Sequence, residues 1–565
     1  MRCFMRNKVL RKRSKLILSL VLAGAMALLS ACGGAKNSSD DDSITSSDAS
    51  DKSDKVITVT DAPDAGKSSD DNSMTSSDAA DNKKADAVTP IRLVTEHRYD
   101  NYWDETDYNN IYLNAHFCHV DREYSDAYPN ISKTLDEAAK ADFDEAKAFY
   151  DEILNNYKTA VSAGDDPMGG WFYEVHPAIV RSDNRIVSIV KQEFSYAGGA
   201  HPDTVYYSSV YDTQSGKLLS LSDVATDTDA LKKLVISAIK ENYPDTAFFD
   251  ELDDAIGSFF AKDGELLDWS VDYDGMTFYF SPYDIAPYAE GLICVNIPYE
   301  GNESVFKKFI MEKPDAVAIS LGNGMPVFMD VNEDGKAEKV ECAFYENTNE
   351  EGECCGDFIL SYDDENICSE QLYAYNCDFE LIRSSEGKCY LYAECTAESD
   401  YSYIRVYELN SEAVNLVDNI DLCVAGYYDD EAGYSGTIGD PCHFKLAKRT
   451  DALYTGAGNV ICHIDDKGLP VKETDYYTLE DDFELTVLKD IDVREIDEVT
   501  FKTGETITLK AGEKITLVRT DDLTYVDARL GDGRLVRLNV VLDTWPQLVE
   551  GKEAEKYFDG IMYAG

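Results

Sequence analysis

The chain has 565 residues, with 108 Asp and Glu against 52 Lys and Arg, giving a formal net charge of −56. A surface this acidic repels phosphate backbones and anionic headgroups, which excludes nucleic acid as a partner and favours basic or cationic ones. The 44% hydrophobic content is that of a globular chain, and the length beyond the N-terminal segments suits two to four domains.

Residues 1–31 open with seven basic residues and no acid (Arg2, Arg6, Lys8, Arg11, Lys12, Arg13, Lys15), then run apolar from Leu16 to Leu29. That stretch is too short for a stable membrane span and is flanked like an export signal. It closes on Leu29-Ser30-Ala31-Cys32, which resembles the signal of bacterial lipoproteins. The resemblance implies cleavage before Cys32, acylation of Cys32, and attachment through the acyl chains to the lipid bilayer. The protein would then sit on the bacterial cell surface, anchored to the outer face of the cytoplasmic membrane. An ordinary secretion signal that ends in Ala-Cys is the alternative.

Residues 32–90 read as a disordered Ser/Asp-rich tether. Residues 33–90 hold 13 Asp and 6 Lys and almost no aromatic or large aliphatic side chains, so they cannot bury enough apolar area to fold. The strings SSDDDSITSSDASDKSDK from Ser38 and SSDDNSMTSSDAADNKK from Ser68 nearly duplicate one another, as a slipped linker repeat would. A self-repelling spacer of this kind would hold the globular part away from its anchor.

Residues 91–310 alternate strands and helices, which predicts an α+β domain. Ile111–Val120 reads as a strand with Ile111, Leu113, Ala115 and Phe117 on one face. Thr134-Leu-Asp-Glu137 has the capping-box form and predicts a helix start. The apolar stripe behind it comprises Leu135, Ala139, Phe143, Ala146, Phe149 or Tyr150, Ile153 and Tyr157. Strands are expected at 186–196 and 205–211, a turn at Asp212–Lys217, and a helix from about Asp229 to Asn242. A hairpin, 276–280 with 292–297, closes the region. His116 and His119 lie three apart on the first strand and so face opposite ways, which makes them a poor metal clamp.

Three strings in this region carry a resemblance. They are Phe194-Ser-Tyr-Ala-Gly-Gly-Ala-His-Pro202, then Asp212 to Lys217 with Leu221-Ser-Asp223, then Phe280-Ser-Pro-Tyr-Asp-Ile-Ala-Pro-Tyr-Ala-Glu-Gly291 with Ile297-Pro-Tyr299. In this order they resemble the extracytoplasmic domain shared by the anti-sigma factor RsiV and by PdaC-type peptidoglycan deacetylases. The resemblance implies a wall-related ligand, either a lysozyme-like basic protein or a peptidoglycan fragment. Candidate contacts are Tyr196, Gly198, Gly199, His201, Tyr283 and Tyr288, at the glycine bend and the Tyr-Pro corner. A packed, hydrogen-bonded His201 is the plainer reading of that residue. No deacetylase metal pattern of Asp with His-x3-5-His accompanies these strings.

Residues 315–495 lose helical periodicity and read as a Cys- and Tyr-rich all-β domain, propeller-like or a sandwich. Ten of the 14 cysteines lie from Cys342 to Cys462, and no C-x-x-C pair occurs, which weakens zinc-ribbon and thioredoxin-like readings. Asp330 to Glu341 fits the twelve-position calcium loop, with Asp330, Asn332, Asp334, Lys336 (through its carbonyl), Glu338 and Glu341 as candidate ligands of a structural Ca2+. Its flanks look like strands, so the loop resembles those of FG-GAP-type propeller blades; an Asx-stabilised turn without metal is the alternative. Residues 496–565 show short strands at 505–509, 515–518, 525–529 and 535–540. This predicts a small β-barrel that resembles bacterial Src-homology-3-like modules.

No Gly-x-Ser-x-Gly elbow, HExxH or phosphate-binding glycine loop occurs. The expectation is therefore a non-enzymatic binding protein. An accessory subunit or cryptic hydrolase or deacetylase acting on wall glycans is the alternative.

Overall fold

A computed structural model describes residues 87–565, apart from 105–108, 165–169, 333, 349–353, 398–400, 411–412, 429–432, 480–482 and 564–565. The signal, Cys32 and nearly all of the tether lie outside the described residues. The protein is multidomain: among the described residues α-helices occur only before residue 312, and curled all-β sheets dominate the remainder. Among the described residues no helix is long and apolar enough to cross a membrane.

The N-terminal sheet contains β1 (Leu93–Asp104), β2 (Asn109–Val120), β3 (Trp171–Ser182), β4 (Ile186–Tyr196) and β5 (Asp203–Asp212). Between β2 and β3 runs helix α1, Pro129–Ala163. It starts five residues ahead of the predicted capping box, because Pro129 at its first turn has a backbone already set for the helix. Thr134 lies inside the helix, and its hydroxyl donates to Gly216 O at 3.2 Å. The α1 stripe Ala139, Ala146, Tyr150, Ile153 and Tyr157 is buried against Ile111, Leu113, Ala115, Phe117, Trp171, Tyr173 and Val175, and Leu135 joins the adjoining cluster with Val120 and Val187. Each of the large aliphatic and aromatic side chains among them contributes about 1.5–3 kcal/mol of transfer free energy. This packing spends one face of β2 and β3 and leaves the other uncovered by α1.

Helices α2 (Thr228–Asn242) and α3 (Leu252–Gly264) pack on a three-stranded sheet of β6 (Asp268–Val271), β7 (Gly275–Phe280) and β8 (Ile293–Pro298). Asp227 caps α2 by accepting from Ala230 N at 2.9 Å, and Leu231, Val235, Ile236 and Ile239 form its buried stripe. Strand β3 and the α3 helix carry no expectation in the sequence reading; β3 is a central strand and α3 lies beneath Phe280.

The predicted turn at 212–217 forms around Gly216. Its φ is +66°, and a Cβ there would lie 2.6 Å from Asn130 O and from Thr134 Oγ1. Gly216→Ala is thus expected to lower stability by about 1–3 kcal/mol, read as a fall in urea midpoint at unchanged slope.

Hydrogen bonding continues across residue 310. Strand β9 (Val317–Leu321) bridges β3 at Ser320↔Ile179 and pairs along its length with the 376–383 strand. The sheet then continues through strands 389–396, 402–409 and 414–420, and β1 pairs on its far edge with 433–436. A separate four-stranded sheet (327–329, 338–348, 354–362, 365–372) packs on this one through Phe344, Phe358, Leu360, Phe379 and Leu391. The C-terminal strands belong to a curled sheet that begins at Cys423 and encloses Leu485, Val493, Leu517, Val526 and Leu538.

Candidate functional site

Alternation along β2 turns Tyr112, Asn114 and His116 away from α1, and strand register brings partners to the same face. His97 of β1 stands opposite His116, and Tyr99 opposite Asn114. On the parallel side, Tyr112 meets Phe172 and Asn114 meets Glu174 of β3. Phe172 and Glu174 in turn face Tyr196 and Phe194 of β4. Two rows of rings result, running across the strands.

One row is aromatic. Ring centroids are 6.4 Å apart for Tyr99 and Tyr112, 5.6 Å for Tyr112 and Phe172, 5.0 Å for Phe172 and Phe194, and 6.3 Å for Phe172 and Tyr196. Tyr99 is 53% exposed, and Tyr112, Phe172, Phe194 and Tyr196 are half-buried. The other row is His97, His116 and His176, stacked at 4.5 and 5.8 Å. Glu174 ties the rows together: it accepts from Tyr112 Oη at 2.7 Å and contacts His176 Nε2 at 3.3 Å. His97 Nε2 and Asn114 Oδ1 are 2.9 Å apart. Burial, then the neighbouring His97 and His176, push the His116 imidazole down to about 3, so it is neutral in the physiological range. Burial and the Glu174 carboxylate raise the Tyr112 phenol.

The six ligand candidates from the sequence form a second group, joined to the aromatic row through Tyr196. The Tyr196 hydroxyl donates to Gly199 O at 3.1 Å. Gly198 has φ +81°, and a Cβ there would sit 2.9 Å from the Trp171 ring. His201 stacks on Tyr288 with centroids 3.8 Å apart. Its Nδ1 donates to Pro202 O at 2.8 Å, and its Nε2 and Tyr283 Oη are 3.3 Å apart. Those partners engage both ring nitrogens, as expected of a packed, hydrogen-bonded histidine. Tyr288 Oη donates to Pro202 O at 2.9 Å. Tyr283, at φ +72° and 55% exposed, projects outward from this corner.

The 330–341 loop brings together part of its predicted set. Asp330 accepts from Asp334 N and Gly335 N at 3.2 and 3.0 Å, Asn332 Oδ1 from Asp334 N at 2.8 Å, and Asp334 Oδ1 from Lys336 N at 2.8 Å. Glu338 joins them, accepting from Val331 N at 2.8 Å and from Asn332 Nδ2 at 2.6 Å. Glu341 instead lies in the ladder opposite Ser361. Gly335 supplies the sharp turn, with φ +83°. The carboxylates are engaged by the loop's own amides, and among the described residues no group of three or more His, Cys, Asp or Glu is placed to hold a metal ion.

Residues 222–300, which hold α2, α3, the β6–β8 sheet and the Tyr283–Tyr288 corner, match the family described as "Protein of unknown function (DUF3298)". A DUF3298 domain is present. Two solved structures are similar to the chain. One is a member of the DUF3298 family from Bacteroides fragilis, 17% identical, covering 39% of this chain and 96% of that one, with a TM-score of 0.29. The other is a DUF3298 family protein from Pseudomonas aeruginosa, 17% identical, covering 40% of this chain and 98% of that one, also with a TM-score of 0.29. No curated protein matches the chain. The DUF3298 domain contributes only Tyr283 and Tyr288 to the corner; the ring rows come from the strands before it.

His97, Tyr99, Tyr112, Phe172, Glu174 and His176 are absent from the sequence-predicted set. The signal that marks Tyr112 among them is the β2 alternation itself: once Ile111, Leu113, Ala115 and Phe117 are placed in the core, Tyr112, Asn114 and His116 must share the other face.

Proposed function

We propose that the protein is a lipid-anchored, non-enzymatic binder of cell-wall glycan at the bacterial surface, with an RsiV/PdaC-like domain that takes its ligand on the ring-lined face of β1 to β4. The observation that carries this reading is the aromatic row with Glu174, Asn114 and His97 set beside it. The apolar C–H faces of pyranose rings stack on such side chains, while adjacent carboxylate and amide groups hydrogen-bond the hydroxyls. Tyr196 extends the row towards the Gly198-Gly199 bend and the His201 corner. Cys32 would carry the acyl anchor and residues 32–90 the tether.

Calorimetric titration of the protein with soluble peptidoglycan fragments tests the reading. Saturable binding is expected, and Tyr99→Ala should weaken it about tenfold. Tyr99 is exposed, so its removal should leave the melting temperature unchanged. Absence of binding to any wall glycan overturns the glycan assignment.

The net charge of −56 favours a second ligand, a lysozyme-like basic protein steered in electrostatically. Its affinity would fall steeply with salt and would be insensitive to Tyr99→Ala. A structural Ca2+ in the 330–341 loop belongs to the same proposal; Asp330, Asn332, Asp334 and Glu338 would hold it. Millimolar Ca2+ is then expected to raise the melting temperature, and Asp330→Ala to abolish the rise.

A further inference from the structure

Cys377 and Cys395 stand opposite one another in the antiparallel ladder between strands 376–383 and 389–396. Their sulfur atoms are 3.7 Å apart, and both residues are free thiols. Directly opposed residues of an antiparallel pair have Cα atoms about 4.5–5.5 Å apart, inside the span a disulfide tolerates. Bringing the sulfurs from 3.7 Å to a bonded distance of about 2.05 Å needs side-chain torsion on the two residues and no shift of the strands.

The pair lies in the core between the long sheet and the four-stranded sheet, with exposures of 5% for Cys377 and 0% for Cys395. Yet it is the second rung of its ladder. Only Asn376↔Thr396 lies beyond it in that ladder, so a reagent reaches the sulfurs through local opening of the strand ends and of the sheet packed over them, not through global unfolding. Cys395 also has help in becoming a thiolate. The hydrogen bond with Cys377 lowers its thiol from the ordinary value, and the Arg405 guanidinium acts in the same direction against burial.

We propose that Cys377 and Cys395 are a built modification site, closing to a cross-strand disulfide when the chain meets a disulfide oxidant. The Cys395 thiolate attacks one sulfur of the oxidant R–S–S–R, forming a mixed disulfide and expelling RS⁻. Cys377, losing its proton to RS⁻ or solvent, then attacks the Cys395 sulfur and expels the second RS⁻. Two cysteine thiols are oxidised by two electrons, and one oxidant disulfide is reduced to two thiols. The product closes a loop between residues 18 apart in sequence and staples two central strands of the sheet. The site is independent of which ligand the ring-lined face takes.

The test uses the full chain, incubated with oxidised glutathione in sub-denaturing urea so that access to the ladder end is not limiting. The chain is then unfolded, alkylated with iodoacetamide and mapped by peptide mass. Cys377 and Cys395 should appear as one linked, unalkylated pair that dithiothreitol returns to two alkylated thiols. The oxidised protein should melt roughly 5 °C higher than the reduced one. Cys377→Ser should leave Cys395 without an internal partner and remove the shift. Full alkylation of both residues after oxidation, or linkage of either one to another cysteine, overturns the proposal.

Discussion

Arg181→Met is expected to destabilise the protein by about 3–5 kcal/mol, among the largest effects available to a single substitution here. Arg181 and Asp183 are both fully buried, with Nε and Oδ2 2.7 Å apart. The remaining guanidinium nitrogens donate to Ile310 O, to Glu312 O at 2.7 Å and to Asp272 O at 3.4 Å. The Tyr273 ring lies beneath the guanidinium, 5.3 Å from Cζ to its centroid. One side chain thus joins β3, the β6–β7 turn and the segment leading into the all-β region. Asp183 is committed on its other oxygen, which accepts from Arg185 N at 2.8 Å and Ile186 N at 2.9 Å. A methionine fills the volume but leaves that carboxylate buried without a counter-charge, which is the costly outcome.

Equilibrium urea denaturation of the variant should show an early transition reporting on the β3 and β6–β8 packing. Adding Asp183→Asn should recover part of the loss, because the amide oxygen still accepts from the backbone while the unpaired charge is gone. Loss of less than about 1 kcal/mol in Arg181→Met would show that water reaches the site and that the pair behaves as a surface ion pair.

The same residues show what sequence can and cannot reveal. Helix α2 and the β7–β8 hairpin were readable, because their periods of 3.6 and 2 follow from burial on one side only. The start of α1 was misplaced at Thr134: a capping-box spelling and a proline in the first turn compete, and proline has the more restrictive backbone. Strand β3 carries no simple alternation. Its first half is buried on one face, and from Ala178 to Ser182 it is buried on both, where β9 and the β6–β8 sheet meet it. Two-sided burial removes the alternation, and the buried Arg181 and Ser182 break the apolar run that would otherwise mark it. The ring rows were hidden for the same reason, since Phe172, Glu174 and His176 gain meaning only when β3 is laid parallel to β2. The corner of His201, Tyr283 and Tyr288 was legible, because its Gly and Pro residues demand special backbone there whatever the tertiary setting.

Stability is expected to fall by a few kcal/mol as pH rises from about 6.5 to 8, opposite to the usual behaviour of paired carboxylates. Burial pushes Asp272 up to about 7, against the hydroxyls of Ser270 and Thr277, and Asp274 adds to the rise. Burial likewise pushes Glu380 up to about 8, against a backbone amide and Arg92. Both residues are largely inaccessible, at 2% and 7% exposure. A carboxyl with a raised pKa in the fold keeps its proton at pH values where the unfolded chain has lost it. The folded state then binds more protons, so stability declines as pH climbs from the unfolded value towards the folded one. Below about 6.5 His116 works the other way, because it stays neutral in the fold and charges on unfolding. In the interval from 6.5 to 8 the carboxyls act together with His119, whose imidazole, against burial, is held above its ordinary value by Asp136 and Glu96 and loses its stabilisation in the same direction. Asp272→Asn keeps the neutral shape and the hydrogen-bonding partners without the titration. It should flatten the slope of urea midpoint against pH, matching the parent near pH 5 and exceeding it by about 2–3 kcal/mol at pH 8. An unchanged slope would mean that Asp272 is ionised throughout, held so by Ser270, Thr277 and the Asn296 amide that reaches it at 3.2 Å.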